Sequence, residues 1–334
     1  MKKEQRILVT GACGSVGSAL VEKLLSEGAV VCAFDISENG LFLLDQKYTT
    51  EYPNMLRLFV GDIRDESRLL KAFQGIDVVF HCAALKHVYL SEYNPFEATQ
   101  TNIMGTNNVI SAAIKANVQK VVYTSSDKAV NPTSTMGASK LLGERLITAA
   151  NHHSGGNSTK FCSVRFGNVL NTNGSVLHIF KQQIKDGRPL TITATDMTRF
   201  FLSMSQSVEL CLYASETMLG GEIFVRNMGS CSVLSLAKAV SGNNNVNYEV
   251  IGFKSGEKRF EELVTENEAE RTFHTGSWYT ILPDTLNLME PEHIESLRKK
   301  YETLPKMSCP LRSDAELMPD DQVRLMLENI GIIN

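Results

Sequence analysis

Apolar positions along this chain fall into short β-branched runs, separated by stretches in which they recur every three or four residues. The runs at 6–10, 30–35, 56–61, 78–82, 121–125 and 161–166 have the length and composition of buried strands. Helical periods fill 15–27, 66–73, 95–116 and 134–150. In the first of these Val16, Ala19, Leu20 and Leu24 share one face, and Gly28 stops the helix. Parallel strands need a crossover between them, so the alternation predicts βαβ units and an α/β, Rossmann-type doubly wound parallel sheet. After Asn168 the rhythm weakens. Segments 175–186 and 205–218 read as helices, 241–245 as a polar loop, and 290–306 as a charged, solvated helix with its connector. The expected division is a larger domain over 1–167 and a smaller one over 168–334, which closes over a cleft and returns part of its chain to the first.

Composition narrows the class. Hydrophobic content of 43% and charged content of 21% are those of a globular enzyme, with no internal repeat or low-complexity tract. A net charge of −4 excludes a global basic field for nucleic acid or an anionic membrane, so an anionic ligand needs locally placed cations. No apolar run is long enough to span a bilayer, and the first residues lead straight into a strand without a signal peptide; a cytoplasmic protein is expected. Seven scattered cysteines (13, 32, 82, 162, 211, 231 and 309) without a CxxC read as reduced, buried thiols. The histidines show no HExxH or comparable spacing, so no metal site is expected.

Candidate chemistry begins at 10–17, where TGACGSVG sets Gly11, Gly14 and Gly17 between a strand and a helix. Such glycines permit a tight turn and let backbone amides, with the helix N-terminus, approach a pyrophosphate. Cys13, Ser15 and Val16 complete the loop, Cys13 as a small space-filling residue. Asp35 ends the second strand, where a carboxylate bonds adenosine ribose hydroxyls and repels a 2′-phosphate. No arginine follows it at once, so NAD is expected rather than NADP. Asp62 and Ile63 end the third strand, where Asp62 would meet the adenine amino group.

More specific strings follow. HCAALKHV at 81–88, TNIMGTNNV at 101–109, SSDKAVNPT at 125–133, MGASK at 136–140, RFGNV at 165–169, MTRFF at 197–201, GGEIFV at 220–225 and SGEKRFEEL at 255–263 join GDIRD at 61–65. With them the chain resembles the extended short-chain dehydrogenase/reductases. Within those it is similar to the UDP-N-acetylglucosamine 4,6-dehydratases of capsule and flagellin-glycan biosynthesis. The family's catalytic lysine would be Lys140. The tyrosine expected four residues before it is Met136, as in one branch of the family, and a thioether has no exchangeable proton. A second departure is Lys254-Ser255 where Arg-Pro is usual, which bears on diphosphate binding.

The resemblance implies a lyase with recycled NAD, held by residues 1–167, and a UDP-sugar substrate, most simply UDP-N-acetylglucosamine, held mainly by 168–334. It implies Asp127 as general acid for the departing 6-hydroxyl and Lys128 as base at carbon 5, with desolvation beside Lys140 lowering the Lys128 pKa. Ser126 would bond the 4-hydroxyl, Lys140 the nicotinamide ribose, and Met136 would only pack near the sugar. Ala83, Ala84, Lys86 and Asn102 join the expected cofactor contacts. Lys86, His87, Asn168, Arg199, Lys254 and Glu257 are the expected substrate contacts; for Arg199 a structural salt bridge is an equal rival. A nucleotide-sugar 4-epimerase or 5,6-dehydratase on the same scaffold, or a non-catalytic NAD-binding protein, are the alternatives. A homo-oligomer is expected, with the 95–116 and 134–150 helices available for a dimerising bundle or for internal packing.

Overall fold

In the computed structural model, which describes residues 5–153, 159–172 and 174–333, nine strands form one sheet. Their order across it is Thr272–Thr275, Trp278–Ile281, Ile223–Arg226, Lys160–Phe166, Lys120–Ser126, Val78–His81, Arg6–Thr10, Val30–Asp35 and Leu56–Val60. The last seven run parallel, and the first two are antiparallel additions at one edge. The six strands expected in the first half are all present. Residues 1–4, part of the lead into the first strand, lie outside the described residues.

Helices cover both faces, as a parallel sheet buried on both sides requires. On one face Leu20 and Leu24 of Ser15–Ser26, Leu41 and Leu44 of Glu38–Tyr48, and Leu210 and Ala214 of Met204–Thr217 pack in one cluster with Val9, Val31 and Phe80. On the other, Leu69 and Phe73 of Glu66–Phe73, Val109 of Gly105–Lys115 and Ile147 of Thr135–His153 pack with Leu8, Val79 and Val121. Each fully buried aliphatic or aromatic chain contributes roughly 1.5–3 kcal/mol relative to exposure. A third cluster, centred on Leu177, Phe180, Leu236, Val323 and Leu327, gathers helices Val176–Lys185, Val233–Ser241 and Asp320–Asn329.

Three local features depart from the sequence reading. The single helix expected at 95–116 is a succession: Pro95–Ala98, a π-helical turn Thr99–Met104, then Gly105–Lys115. Helix Glu38–Tyr48 has no counterpart in the expected elements, because Asn39 and Gly40 resemble a turn; Ser37 caps it by accepting a hydrogen bond from Gly40 N at 3.1 Å. The charged segment near the end forms the expected helix, over Pro291–Tyr301, with a connector after it, but the helix is not solvated all round, since it buries Leu297 and Tyr301.

Candidate active site

A cleft of ≈1180 Å³ runs along the C-terminal ends of the parallel strands. That exceeds the space one drug-sized ligand fills, roughly 300–1,000 Å³, and sits where α/β sheets bind ligands. One end is built by the glycine loop. Gly11 has φ +67°, and a Cβ there would stand 2.6 Å from Ala83 N; a Cβ at Gly17 would strike Gly11 O. Both positions therefore demand glycine. Gly14 is the N-cap of Ser15–Ser26 and offers no side chain to the first-turn amides, which keeps that helix end suited to an anion. Cys13, Ser15 and Val16 line the same end.

Asp35 lines the cleft beside the loop and accepts from Cys13 N and Ser37 N, both at 2.9 Å. Burial and the neighbouring Asp35 push the Cys13 thiol up to about 12, so it is no nucleophile. Asp62 and Ile63 also line the cleft. Burial raises the Asp62 pKa, but the hydrogen bonds from Arg64 outweigh it and the net shift is downward. Arg64, which the sequence reading did not single out, reaches the cleft while Asp62 and Glu97 hold it at 2.6 and 2.9 Å.

The middle of the cleft is lined by Ala83, Ala84, Lys86, His87, Ser126, Lys128, Met136 and Lys140. Lys140 is 6% exposed, donates to Thr124 O at 2.8 Å, and lies 4.7 Å over the Tyr123 ring. Burial lowers its pKa to about 8. Met136 reaches the cleft from the first turn of Thr135–His153 and is 3% exposed. Tyr123 does not replace the missing phenol. It is buried, does not line the cleft, and desolvation pushes its pKa up.

Strand Lys120–Ser126 ends at the pair expected to do the chemistry. Lys128 Nζ donates to Asp127 Oδ1 at 2.9 Å and to Asn168 Oδ1 at 3.3 Å, and stands 3.4 Å from Glu261 Oε1. Ser126 Oγ donates to Asp127 Oδ1 at 2.9 Å. Asp127 itself is fully buried and meets the cleft only through Ser126 and Lys128, which do line it. Burial and the Glu261 charge raise the Asp127 pKa against the opposing pull of Lys128. Burial works to lower the Lys128 pKa, but Asp127 and Glu261 outweigh it and the net shift is upward. This corrects the expectation of a lowered Lys128 pKa: two carboxylates beside it matter more than desolvation.

Other expected contacts lie elsewhere. Asn102, 1% exposed, accepts from Leu85 N at 2.8 Å and donates to Leu85 O and Ser139 Oγ. It fixes the 83–87 loop, and Thr101 lines the cleft in its place. Arg199 is 7% exposed and donates to the carbonyls of Thr198, Lys258 and Arg259, with Glu261 at 3.9 Å. Its guanidinium holds backbone, in keeping with the structural alternative. Lys254 and Glu257 do not line the cleft; Glu257 accepts from Lys254 N at 2.9 Å. Of the expected substrate contacts, Lys86, His87 and Asn168 line the cleft, joined by Phe166, Thr172, Ser175 and Phe201. Four cysteines are buried, whereas Cys13 and Cys82 are half-buried and Cys309 is exposed. No helix among the described residues is long and apolar enough to cross a membrane.

Comparison with known proteins agrees with this architecture. The family described as polysaccharide biosynthesis protein matches residues 7–283. An uncharacterized membrane protein of Methanocaldococcus jannaschii is 43% identical over 84% of this chain and 86% of its own. A UDP-N-acetylglucosamine 4,6-dehydratase (inverting) of Campylobacter jejuni is 38% identical over 85% of this chain and 84% of its own. A UDP-glucose 4-epimerase of Rickettsia canadensis is likewise 38% identical, over 90% and 89%. Among solved structures, Pen from Bacillus thuringiensis superposes with a TM-score of 0.90 at 36% identity, covering 99% of both chains. A glycine-cradled cleft on a parallel sheet, with matches running through most of the chain, leads to one assignment: the chain belongs to the polysaccharide biosynthesis protein family.

Proposed function

We propose that the chain is an NAD-dependent nucleotide-sugar 4,6-dehydratase that removes water from UDP-N-acetylglucosamine to give a UDP-4-keto-6-deoxy sugar. The observation that carries this reading is the Ser126–Asp127–Lys128 cluster, a buried acid and an amine sharing one hydrogen-bonded site at the cleft wall. The cradle fits a dinucleotide: Gly11 and Gly17 leave no room for a side chain, and the buried Ser125 Oγ at the cleft has no hydrogen-bond partner among the described residues. Residues 11–17 would hold the pyrophosphate, Asp35 the adenosine ribose and Lys140 the nicotinamide ribose. Bound NAD would supply reversible hydride acceptance at carbon 4, with the 4-hydroxyl proton taken up by Ser126 Oγ as that group passes its own to Asp127, so that a 4-ketone acidifies the proton on carbon 5.

The residues of this chain then handle protons. Lys128 takes the carbon-5 proton, in the tautomer where the shared proton of the pair rests on Asp127. Asp127 protonates the departing 6-hydroxyl through Ser126 Oγ, which donates outward as it accepts from the carboxyl. Met136 packs against the sugar and moves no proton. The test is incubation with UDP-N-acetylglucosamine and NAD, followed by mass spectrometry. The expected product is lighter by one water. A product of unchanged mass with inverted carbon 4 would overturn the reading in favour of an epimerase, the alternative supported by relatives of that name at equal identity.

A further inference from the structure

Behind the catalytic pair runs a segment without regular secondary structure, 255–261, which the rest of the chain straps onto the loop at 127–134. Lys258 Nζ donates to Val130 O at 2.6 Å, Thr133 Oγ1 to Gly256 O at 3.1 Å, and Asn131 Nδ2 to Glu262 Oε2 at 2.7 Å. Ser313 fixes the far side, accepting from Glu261 N and donating from its own amide to Glu261 O, both at 2.9 Å. These contacts seat the strap through its backbone carbonyls and amides and through the side chains of Lys258 and Glu262. The Glu261 carboxylate adds an ion pair within the strap, Oε2 standing 3.4 Å from Lys258 Nζ, yet it is 2% exposed and its Oε2 accepts no hydrogen bond among the described residues. A buried carboxylate with so few hydrogen bonds is costly unless its charge is used.

We propose that Glu261 is a positioning residue for the catalytic pair, a fixed buried anion that serves as counter-ion to Lys128 whenever Lys128 carries a proton. The inference rests on the reading of Asp127 and Lys128 given above. When the carbon-5 C–H bond breaks, the proton forms an N–H bond at Lys128, and a positive charge arises 3.4 Å from Glu261 Oε1. The electron pair left on carbon 5 expels the 6-hydroxyl, which leaves as water with the proton of Asp127. An anion already in place favours the proton transfer without reorganising, as the aspartate of a Ser-His-Asp triad does for its imidazolium. The groups facing Glu261 are Lys128 and Asp127 from the catalytic loop, Arg199 from strand Thr198–Leu202, and Lys258 from the strap. Burial raises the Glu261 pKa, but Lys128, Arg199 and Lys258 outweigh it and the net shift is downward, whereas the Asp127 pKa is shifted upward, so the two carboxyls are pushed apart.

The experiment is the pH profile of water loss for Glu261→Gln and Lys258→Met, with Asp127→Asn alongside. Removing an anion lowers every proton affinity around it, so both limbs of the Glu261→Gln profile move to lower pH, by roughly one unit. Its kcat at the wild-type optimum falls at least about tenfold, with KM for the UDP-sugar little changed. Removing a cation acts oppositely, and the limbs of Lys258→Met move to higher pH. Opposite shifts cannot arise from loosened packing. Unmoved limbs, or shifts of the same sign in both variants, overturn the proposal; if Glu261→Gln does not fold, the direction of the Lys258→Met shift decides. Wild-type dehydration by Asp127→Asn would instead overturn the reading of the pair, and this inference with it.

Discussion

Lys140 shows at the scale of one residue how a functional group burdens its fold. Burial lowers its pKa from the unfolded value near 10.4 to about 8. Between those pH values the unfolded chain binds more protons than the folded one, so stability rises with pH through that window. Below pH 8 the cost of the buried ammonium is present in full, on the order of 3 kcal/mol. Lys140→Met should therefore raise the melting temperature of the ligand-free protein at pH 7. That advantage should shrink as pH rises from 8 to 10, as scanning calorimetry would show. Asp127 and Lys128 carry the other prediction at this scale. Asp127→Asn and Lys128→Ala should each reduce water loss by about 10²–10⁴-fold while calorimetric binding of NAD and UDP-sugar persists. Exchange of the carbon-5 proton with deuterated water should vanish in Lys128→Ala. Wild-type rates in both variants would make the pair an ordinary strand-end turn.

At the scale of elements, what the sequence revealed was what local periodicity encodes. Strands such as Val78–His81, buried at every position, announce themselves by uninterrupted apolar runs. The glycine loop was legible because turn, strand and helix occur together within a dozen residues. The π-helical turn at Thr99–Met104 was not, since its hydrophobic period stays close to that of an α-helix; it carries Asn102, which accepts from Leu85 N. Three elements are joined by a contact no pattern announces. Arg165 in strand Lys160–Phe166 is 2% exposed and donates to Glu144 of helix Thr135–His153 and to Glu268 of helix Glu266–Ala269, at 2.8–2.9 Å. Burial works to raise the Glu268 pKa, but Arg165 outweighs it and holds the carboxyl near 2. Arg165→Met would leave the buried Glu144 without its cation and Glu268 with only Arg271, 3.9 Å away, a loss of about 3–5 kcal/mol. The urea midpoint should fall accordingly, and an unchanged midpoint would show that water already solvates the cluster.

Across the whole molecule, the cleft is assembled from distant parts of the chain, and this limits what a sequence shows. Lys128 and Met136 could be named from short motifs. Glu261 lies in a short motif too, but only Lys258 among its partners is near it in sequence; Lys128 and Arg199 reach it from distant segments, which no local pattern announces. For Arg199 the sequence leaves a substrate contact, implied by the family resemblance, and a structural salt bridge as equal readings. Its burial, and the carbonyls that take up its donors, became visible only with the strap in place. The sheet itself draws on both halves of the chain, since Ile223–Arg226 pairs with Lys160–Phe166 and Trp278–Ile281 pairs with Ile223–Arg226.

The strap also has a bearing on when the enzyme comes into being. Asn131 and Glu262 are 131 residues apart in sequence, and Val130 and Lys258 are 128 apart. Synthesis proceeds at roughly 5–20 residues per second, so Asp127 and Lys128 leave the ribosome many seconds before their counter-ion does. Until residues 258–262 emerge and dock, a nascent chain presents the glycine cradle without the finished proton machinery beside it. Contacts of such long range form late in folding. The glycine cradle is thus synthesised well before the charge cluster around Lys128 can be completed.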